Sequence, residues 1–392
     1  MPSAVPRPRL AVVTTQIGIR SEVWMMRQMA AFRRVEPVLI GWGREADGVP
    51  VPAGIESRLF SAGDPRRPGR LARLARRLGM ASGYTPAPAT RAALARAVAD
   101  TGADALLCHF AWNALPLAAA IPPDLPFIVH VHGRDVSMML NEPGYARALR
   151  AIFPRIDHLV AVGSFQLERL ARLGPLPPHS LIPCGAPTSL FAARPQPCRQ
   201  PGEPIRFLSV GRLSHEKGVL ESLSAFERLL EAYPDARLTY VGLGPAEAEL
   251  KAAISAGPAR DAVDLLGYQP PEALADILAR HHVLLQHSRE VGGWIEGFGV
   301  TLTEAGAAGL PLVASASGGI PDQVHDADNG FLFPPGDIQA QAGAMLKLAT
   351  DEPLRRRMGA SARAVAAGYD SDLMASQLET ILLEKIAAGR AR

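Results

Sequence analysis

The 392-residue chain reads as an α/β protein built from two doubly wound, parallel-sheet domains. Three observations predict this class. Short aliphatic runs alternate with helical periodicity along the whole length, the pattern of parallel strands covered by helices on both faces. The rhythm occurs twice, interrupted by a proline-rich stretch, FAARPQPCRQPGEP, at 191–204. The length exceeds what one ordinary core fills, and 48% hydrophobic with 20% charged residues suits soluble globular domains and excludes disordered and membrane-embedded chains.

In the first half the strand signals are LAVVTT (10–15), PVLIGW (37–42), DALLCHF (104–110), PFIVHVH (126–132) and HLVAVG (158–163). Between them SEVWMMRQMAAFRR, ATRAALARAVAD and SFQLERLARLG have apolar residues at helical spacing. The second half repeats the alternation with IRFLSVG, ARLTYVG, AVDLLGY, HVLLQHS and LPLVAS, separated by GVLESLSAFERLLEAYP, PPEALADILAR and VTLTEAGAAG. The expected division is a first domain over 1–190, a linker over 191–204 and a second domain over 205–370. No short-period repeat appears, so the halves are alike in architecture and not in sequence. Ligands of open parallel sheets bind beyond the carboxyl ends of the strands, so two such domains are expected to face each other across a cleft.

The net charge of +3 is unevenly spread. Residues 1–190 carry 22 Lys+Arg against 13 Asp+Glu, or +9, leaving 41 − 22 = 19 against 38 − 13 = 25, or −6, for the rest. Much of the excess lies in DPRRPGRLARLARRLGM, where Arg66, Arg67, Arg70, Arg73, Arg76 and Arg77 accompany Leu71, Leu74 and Leu78 at helical spacing. A basic amphipathic helix over 66–78 suits an anionic membrane surface, and equally a helix packed on its own domain with a solvated basic face. Cys108, Cys184 and Cys198 include no CxxC pair, which argues against a disulfide framework or a zinc site. No apolar run approaches the roughly 20 residues a spanning helix needs, and the start lacks a signal-like apolar stretch. A cytoplasmic protein, peripheral at most to the inner membrane face, is expected, with no nucleic-acid partner.

The chemistry-bearing residues follow strands. GRLSHEKGV places Gly211, Arg212 and Lys217 after IRFLSV; a planar guanidinium fork and an ammonium point charge suit a diphosphate. ARLTYVGLGPAEAEL offers Gly242 and Gly244 before a helix, but Glu247 stands where a dinucleotide fingerprint needs its third glycine. A tight turn is the better reading there, with a nicotinamide-dependent oxidoreductase as a minor alternative. ASASGGIPDQV sets Gly318 and Gly319 before a short helix, where bare backbone N–H groups suit an anion or a hydroxyl-rich ligand. Asp326 and Asp328 in HDADNG read as a turn and not a metal pair. VHVHGRDVS ends a strand with His130, His132, Gly133, Arg134 and Asp135, suited to proton handling, to hydroxyl recognition or to a satisfied strand-end network.

The segment EGFGVTLTE sets two acids eight positions apart, Glu296 and Glu304. On one helix they would stand about 12 Å apart along the axis and roughly 80° apart around it. That is too far for a retaining hydrolase pair, near 5 Å, and beyond the inverting separation of about 6.5–9.5 Å. Gly297 and Gly299 are therefore expected to keep Glu296 in a loop, with Phe298 between them, before a helix that starts near Val300 and carries Glu304 in its second turn.

Taken in order, HGRD, GRLSHEKG, EGFGVTLTE, SGGIPD and NGFLFPPGD resemble glycosyltransferase family 4, the group 1 retaining glycosyltransferases of GT-B fold, over nearly the whole chain. The resemblance implies two Rossmann-like domains facing a deep cleft, a UDP- or GDP-sugar donor, a glycan or lipid-linked acceptor, and neither metal nor cofactor. It implies that Arg212 and Lys217, after Gly211, hold the donor diphosphate. Glu304 would bind the ribose, Glu296 would face the donor sugar, and Gly318 and Gly319 would lie against that sugar and the phosphates. Gly242 and the segment Gly297, Phe298, Gly299 and Val300 complete the donor side. His132 would stand near the sugar, with Gly18, Arg134 and Asp135 on the acceptor side. TTQIGIRSEVWMMRQMAAF resembles the exopolysaccharide and capsule branch, and YDSDLMASQLETILLEKIAAG the terminal helix, 371–392, that crosses back to the first domain. Two positions depart from the pattern: Ala186-Pro187 replaces a Val-Asp or Ile-Asp, and the single Gly18 replaces a glycine pair. A GT-B sugar-nucleotide epimerase or hydrolase is the alternative of another class; retention of Glu296, Glu304, Arg212 and Lys217 argues against a noncatalytic binding role.

Overall fold

A computed structural model describes residues 6–61, 86–194 and 202–390. The basic segment 66–78 therefore lies outside the described residues. The chain forms two compact units, Met1–Cys184 with Ser371–Arg392, and Gly185–Asp370.

The first unit is built on a seven-stranded sheet. Its strands are β1 (Arg9–Ile17), β2 (Glu36–Arg44), β3 (Glu56–Leu59), β4 (Ala105–His109), β5 (Phe127–Val131), β6 (His158–Ala161) and β7 (His179–Leu181), in spatial order 3-2-1-4-5-6-7. All neighbours are parallel. Strands β4, β5 and β6 are buried at every position because helices cover both faces, which is why they read as unbroken apolar runs. The helix Ser371–Arg390 belongs to this unit and packs on the helix Val23–Ala31. Its Met374, Leu378, Leu382 and Ile386 recur every fourth residue and are all buried. Beside that stripe Glu379 accepts hydrogen bonds from the backbone N–H groups of Arg33, Arg34 and Val35 at 2.8, 2.6 and 3.1 Å, fixing the entry into β2.

The second unit repeats the winding with six strands, β8 (Arg206–Val210), β9 (Arg237–Val241), β10 (Val263–Leu265), β11 (Val283–Gln286), β12 (Leu312–Ser315) and β13 (Gly330–Phe333). Their order is 10-9-8-11-12-13, again all parallel. The order reverses between β8 and β11, so the loops leaving these two strands diverge and open a crevice at their carboxyl ends. The helix Val300–Ala307 follows β11 and is buried along most of its length.

The units divide the chain differently from the expected boundaries. The passage falls at Cys184–Gly185, and the start of the expected linker forms a short helix, Thr188–Ala192. Phe191 of that helix is fully buried in the core of the second unit, a burial worth roughly 1.5–3 kcal/mol. Prolines marked the segment as a break, but Phe191, together with the Ala186 N–H that donates to Tyr369 O at 3.0 Å and the Thr188 hydroxyl on Asp370, ties it to the second unit; residues 195–201 lie outside the described residues.

Candidate active site

The residues singled out in the second half converge where the strand order reverses. After β8, Gly211 takes φ +148° and its N–H donates to Val241 O at 2.9 Å. Arg212 is exposed, with no ion pair among the described residues. A single 3-10 turn, His215–Lys217, then turns Lys217 back toward the loop that follows β11. There the Lys217 ammonium meets Glu296 Oε2 at 2.5 Å and stands 5.3 Å from the centre of the Trp294 ring. The same oxygen accepts from Gln286 Nε2 and Ser288 Oγ, both at 2.9 Å. Three donors on one oxygen leave Oε1 as the unengaged end of a carboxylate that is only 6% exposed. Burying this charge without those donors would cost several kcal/mol.

Glycine is required here by contact as well as by conformation. Gly318 has φ +56°, and a Cβ there would lie 2.0 Å from Glu296 O; one on Gly319 would lie 2.4 Å from Gly297 O. The Gly319 N–H also donates to Glu296 O at 3.1 Å. The glycine pair therefore presses directly on the backbone of the Glu296 loop and sets its height. Gly299, at φ +85°, ends that loop and leads into the helix from Val300, with Glu304 buried in its second turn. The amides at this helix start have no side-chain cap, leaving N–H groups of the kind that receive anions. Phe298 is buried edge-on against Tyr369, 5.4 Å between ring centres. Gln323 donates to Phe298 O and accepts from Thr303 Oγ1 at 2.6 Å, clamping the loop to the helix.

Gly242 and Gly244 meet no open space. Their Cβ positions would fall 1.8 Å from Gly211 O and 2.2 Å from Leu213 O. These glycines let the β9 loop pack against the Arg212 loop and do not line a dinucleotide cradle. Asp326 and Asp328 are a turn: Asp326 Oδ1 accepts from Leu332 N–H at 3.0 Å and Asp328 Oδ1 from Ser361 Oγ at 2.9 Å.

In the first unit the predicted residues sit deeper than an acceptor-facing role requires. Asp135 is fully buried and accepts from the backbone N–H groups of Ala111, His132 and Gly133 at 2.9, 3.1 and 2.9 Å. Its carboxylate pins the end of β5 and is turned inward, because three main-chain donors there have no other acceptor. Gly18, at φ +89°, is likewise consumed in packing: its carbonyl accepts from Val49 N–H at 2.7 Å, and a Cβ would meet Val49 O at the same distance. Arg134 is exposed. His132 is 6% exposed, with Nε2 at 3.1 Å from His109 Nδ1, Nδ1 at 3.8 Å from Cys184 Sγ, and its ring against Trp24. Burial pushes the imidazoles of His109, His130 and His132 down, His130 to about 3, so all three are neutral near pH 7.

Sequence reasoning missed the supports of the site. Gln286, Ser288 and Gln323 were not singled out, nor was His109 beside His130. One signal was available: HVLLQHS ends an aliphatic strand with three polar residues in a row, all of them buried. A run of buried polar residues at a strand's carboxyl end marks a group that must be held.

Two parallel sheets of this order, with this loop set at the second switch point, define a protein of the GT-B fold. In agreement, HepE of Anabaena, solved in complex with UDP and glucose, superposes with a TM-score of 0.73 over 96% of this chain and 99% of its own, at 18% identity. Residues 51–190 match the profile described as Glycosyltransferase Family 4 and residues 193–365 that of Glycosyl transferases group 1. The chain belongs to this family, the group 1 glycosyltransferases of family 4. Among curated relatives, it is similar to the amylovoran biosynthesis glycosyltransferase AmsK of Erwinia amylovora, 30% identical over 56% of this chain and 54% of that one. It is also similar to the GDP-mannose-dependent monoacylated alpha-(1-6)-phosphatidylinositol monomannoside mannosyltransferase of Corynebacterium glutamicum, 28% identical over 76% and 81%. The chain thus spans about half the length of the first curated relatives it matches.

Proposed function

We propose that this protein is a retaining, metal-independent glycosyltransferase that moves a sugar from a UDP- or GDP-sugar to a glycan or lipid-linked acceptor in cell-surface polysaccharide or glycolipid biosynthesis. The observation that carries the reading is the Lys217–Glu296 pair, held by Gln286 and Ser288 where the second sheet reverses its order. Departure of a nucleoside diphosphate through an oxocarbenium-like state builds negative charge on the leaving group. Arg212 and Lys217 supply the positive charge for it, and the uncapped helix start at Val300 adds N–H groups beside them. Glu296, with Oε1 unengaged, faces the donor sugar, and Glu304 takes the ribose hydroxyls. His132 and Arg134 serve the sugar and acceptor in the first unit. The kinship with AmsK supports an exopolysaccharide product, and the Corynebacterium relative supports a lipid-linked acceptor.

A panel of UDP- and GDP-sugars tests the reading on purified protein by donor binding and slow donor hydrolysis, with EDTA present throughout. One donor should bind with EDTA present and be consumed faster when a glycan or lipid-linked acceptor is added. Binding of none would remove the proposal, and quantitative release of a new nucleotide sugar without acceptor would replace transfer by epimerisation.

Among the described residues no helix is long and apolar enough to cross a membrane. The cytoplasmic membrane face remains the proposed working surface, with the 66–78 segment as its contact. Sedimentation with anionic liposomes checks this: an Arg70/Arg73/Arg77 to Glu variant should lose the binding of wild type, and equal negligible binding by both would discard it.

A further inference from the structure

The loop between β11 and the helix Val300–Ala307 is more elaborate than the placement of Glu296 requires. Val291 and Trp294 form an antiparallel bridge, with Val291 N–H donating to Trp294 O at 3.3 Å and Trp294 N–H to Val291 O at 3.0 Å. Between them Gly292 and Gly293 take φ +58° and +80°, the left-handed pair that a two-residue hairpin turn demands. The foot of this hairpin is braced on the turn that bears Lys217. Arg289 donates its backbone N–H to Glu216 O at 3.0 Å and its Nε–H to His215 O at 3.2 Å, and the same nitrogen stands 3.0 Å from Glu221 Oε1. What this bracing fixes is the Trp294 ring. Its face lies 5.3 Å from the Lys217 ammonium, and it stands two residues before Glu296. Ile295, between them, fills the space beside Gly318, where a Cβ would lie 2.8 Å from Ile295 Cγ2. Trp294 is partly exposed, and its indole N–H makes no hydrogen bond among the described residues. Steadying Lys217 alone would not call for such a hairpin, because Glu296 Oε2 already holds that ammonium.

We infer, on the reading that Glu296 faces the donor sugar, that Trp294 is a specificity-determining contact for that sugar, its ring against the C–H face of the pyranose and its indole N–H donating to a hydroxyl. The face of an indole is negative and attracts the positively polarised C–H bonds of a sugar ring, while the N–H is a donor only. Arg212 and Lys217 grip the diphosphate, so the bare nucleotide gains nothing from Trp294 and the nucleotide sugar does. Sugars that differ at one hydroxyl present different C–H bonds on each face, so a fixed aromatic floor with one donor discriminates between them.

Calorimetric titration of the full chain without acceptor compares UDP, GDP and the UDP- and GDP-hexoses on wild type, Trp294→Leu and Trp294→Phe, with urea unfolding as the check that the variants fold. For the donor that wild type binds, Trp294→Leu should weaken the nucleotide sugar roughly tenfold and leave its bare nucleotide within about twofold. Trp294→Phe keeps an aromatic face and loses the N–H, so it should fall between, and it carries the test alone if the leucine variant does not fold. Preference among hexoses on the same nucleotide should narrow in both. Equal losses for nucleotide and nucleotide sugar would assign the ring to Lys217, and no loss in either would leave it a surface residue; both outcomes overturn the contact. Wild type that binds no nucleotide sugar ends the transferase reading and the Trp294 contact with it, whereas wild type that binds and transfers beside unaltered variants ends the contact alone.

Discussion

Arg212 and Lys217 share one loop and one charge yet answer to different neighbours. Arg212 is exposed, so Arg212→Ala should leave stability within about 0.5 kcal/mol while lowering kcat by roughly 10²–10³. Lys217 is the counter-charge of a carboxylate whose side chain is 8% exposed. Lys217→Ala should therefore lose comparable activity and also ~1–3 kcal/mol of stability, moderated because Gln286 and Ser288 still reach Glu296 Oε2. Steady-state kinetics and urea unfolding on both variants separate the two effects; equal stabilities would show that the ammonium does not support the buried acid. This difference was not legible in the sequence. The types and spacing of Arg212, Lys217, Glu296 and Glu304 could be read along the chain, because each follows a strand. Which of them is buried, and that Gln286 and Ser288 complete the group, depends on two loops from non-consecutive strands meeting. Asp135 shows the same limit: an acid at a strand end looks available until the three N–H groups it serves are seen.

At the scale of elements, His287 ties the loop after β11 to the segment beyond β13. Its Nδ1–H donates to Gln341 Oε1 at 2.6 Å, and its Nε2 accepts from Gly336 N–H at 2.8 Å, an arrangement that needs the neutral ring. Burial holds its pKa below the ordinary range, outweighing the Gln341 bond that pulls it up. With the folded value below the unfolded value of about 6.5, the stability this contributes is complete above that pH and drains as pH falls toward the folded value. Urea unfolding near pH 7.5 and 5 should show the loss, and His287→Gln should flatten it; an unchanged slope would place the titration elsewhere, His281 being lowered by burial as well. The central strands were all readable as aliphatic runs, because parallel strands buried on both faces leave no room for alternation. The strands not named from the sequence, β3, β7 and β13, lie at sheet edges and are three or four residues long. An edge strand has one partner, so fewer of its residues need be apolar. β13 carries apolar residues, GFLF, and entered the sequence reading only within the motif NGFLFPPGD.

For the whole molecule, the family match rests on both halves, whereas the limits of the units follow the packing: the helix Thr188–Ala192 is held by the second unit, and the helix Ser371–Arg390 returns to the first. That helix gives the connectivity a temporal order. Everything from Gly185 to Asp370 is translated before Ser371, so every residue of the second unit is made before the helix that completes the first. Until Met374, Leu378, Leu382 and Ile386 arrive, the apolar face of the helix Val23–Ala31 has no cover, and the N–H groups at the entry to β2 have no carboxylate to receive them. The half of the protein that is made first is thus the half that finishes folding last, and its exposed face must be kept from other nascent chains for the time it takes to synthesise a whole second domain.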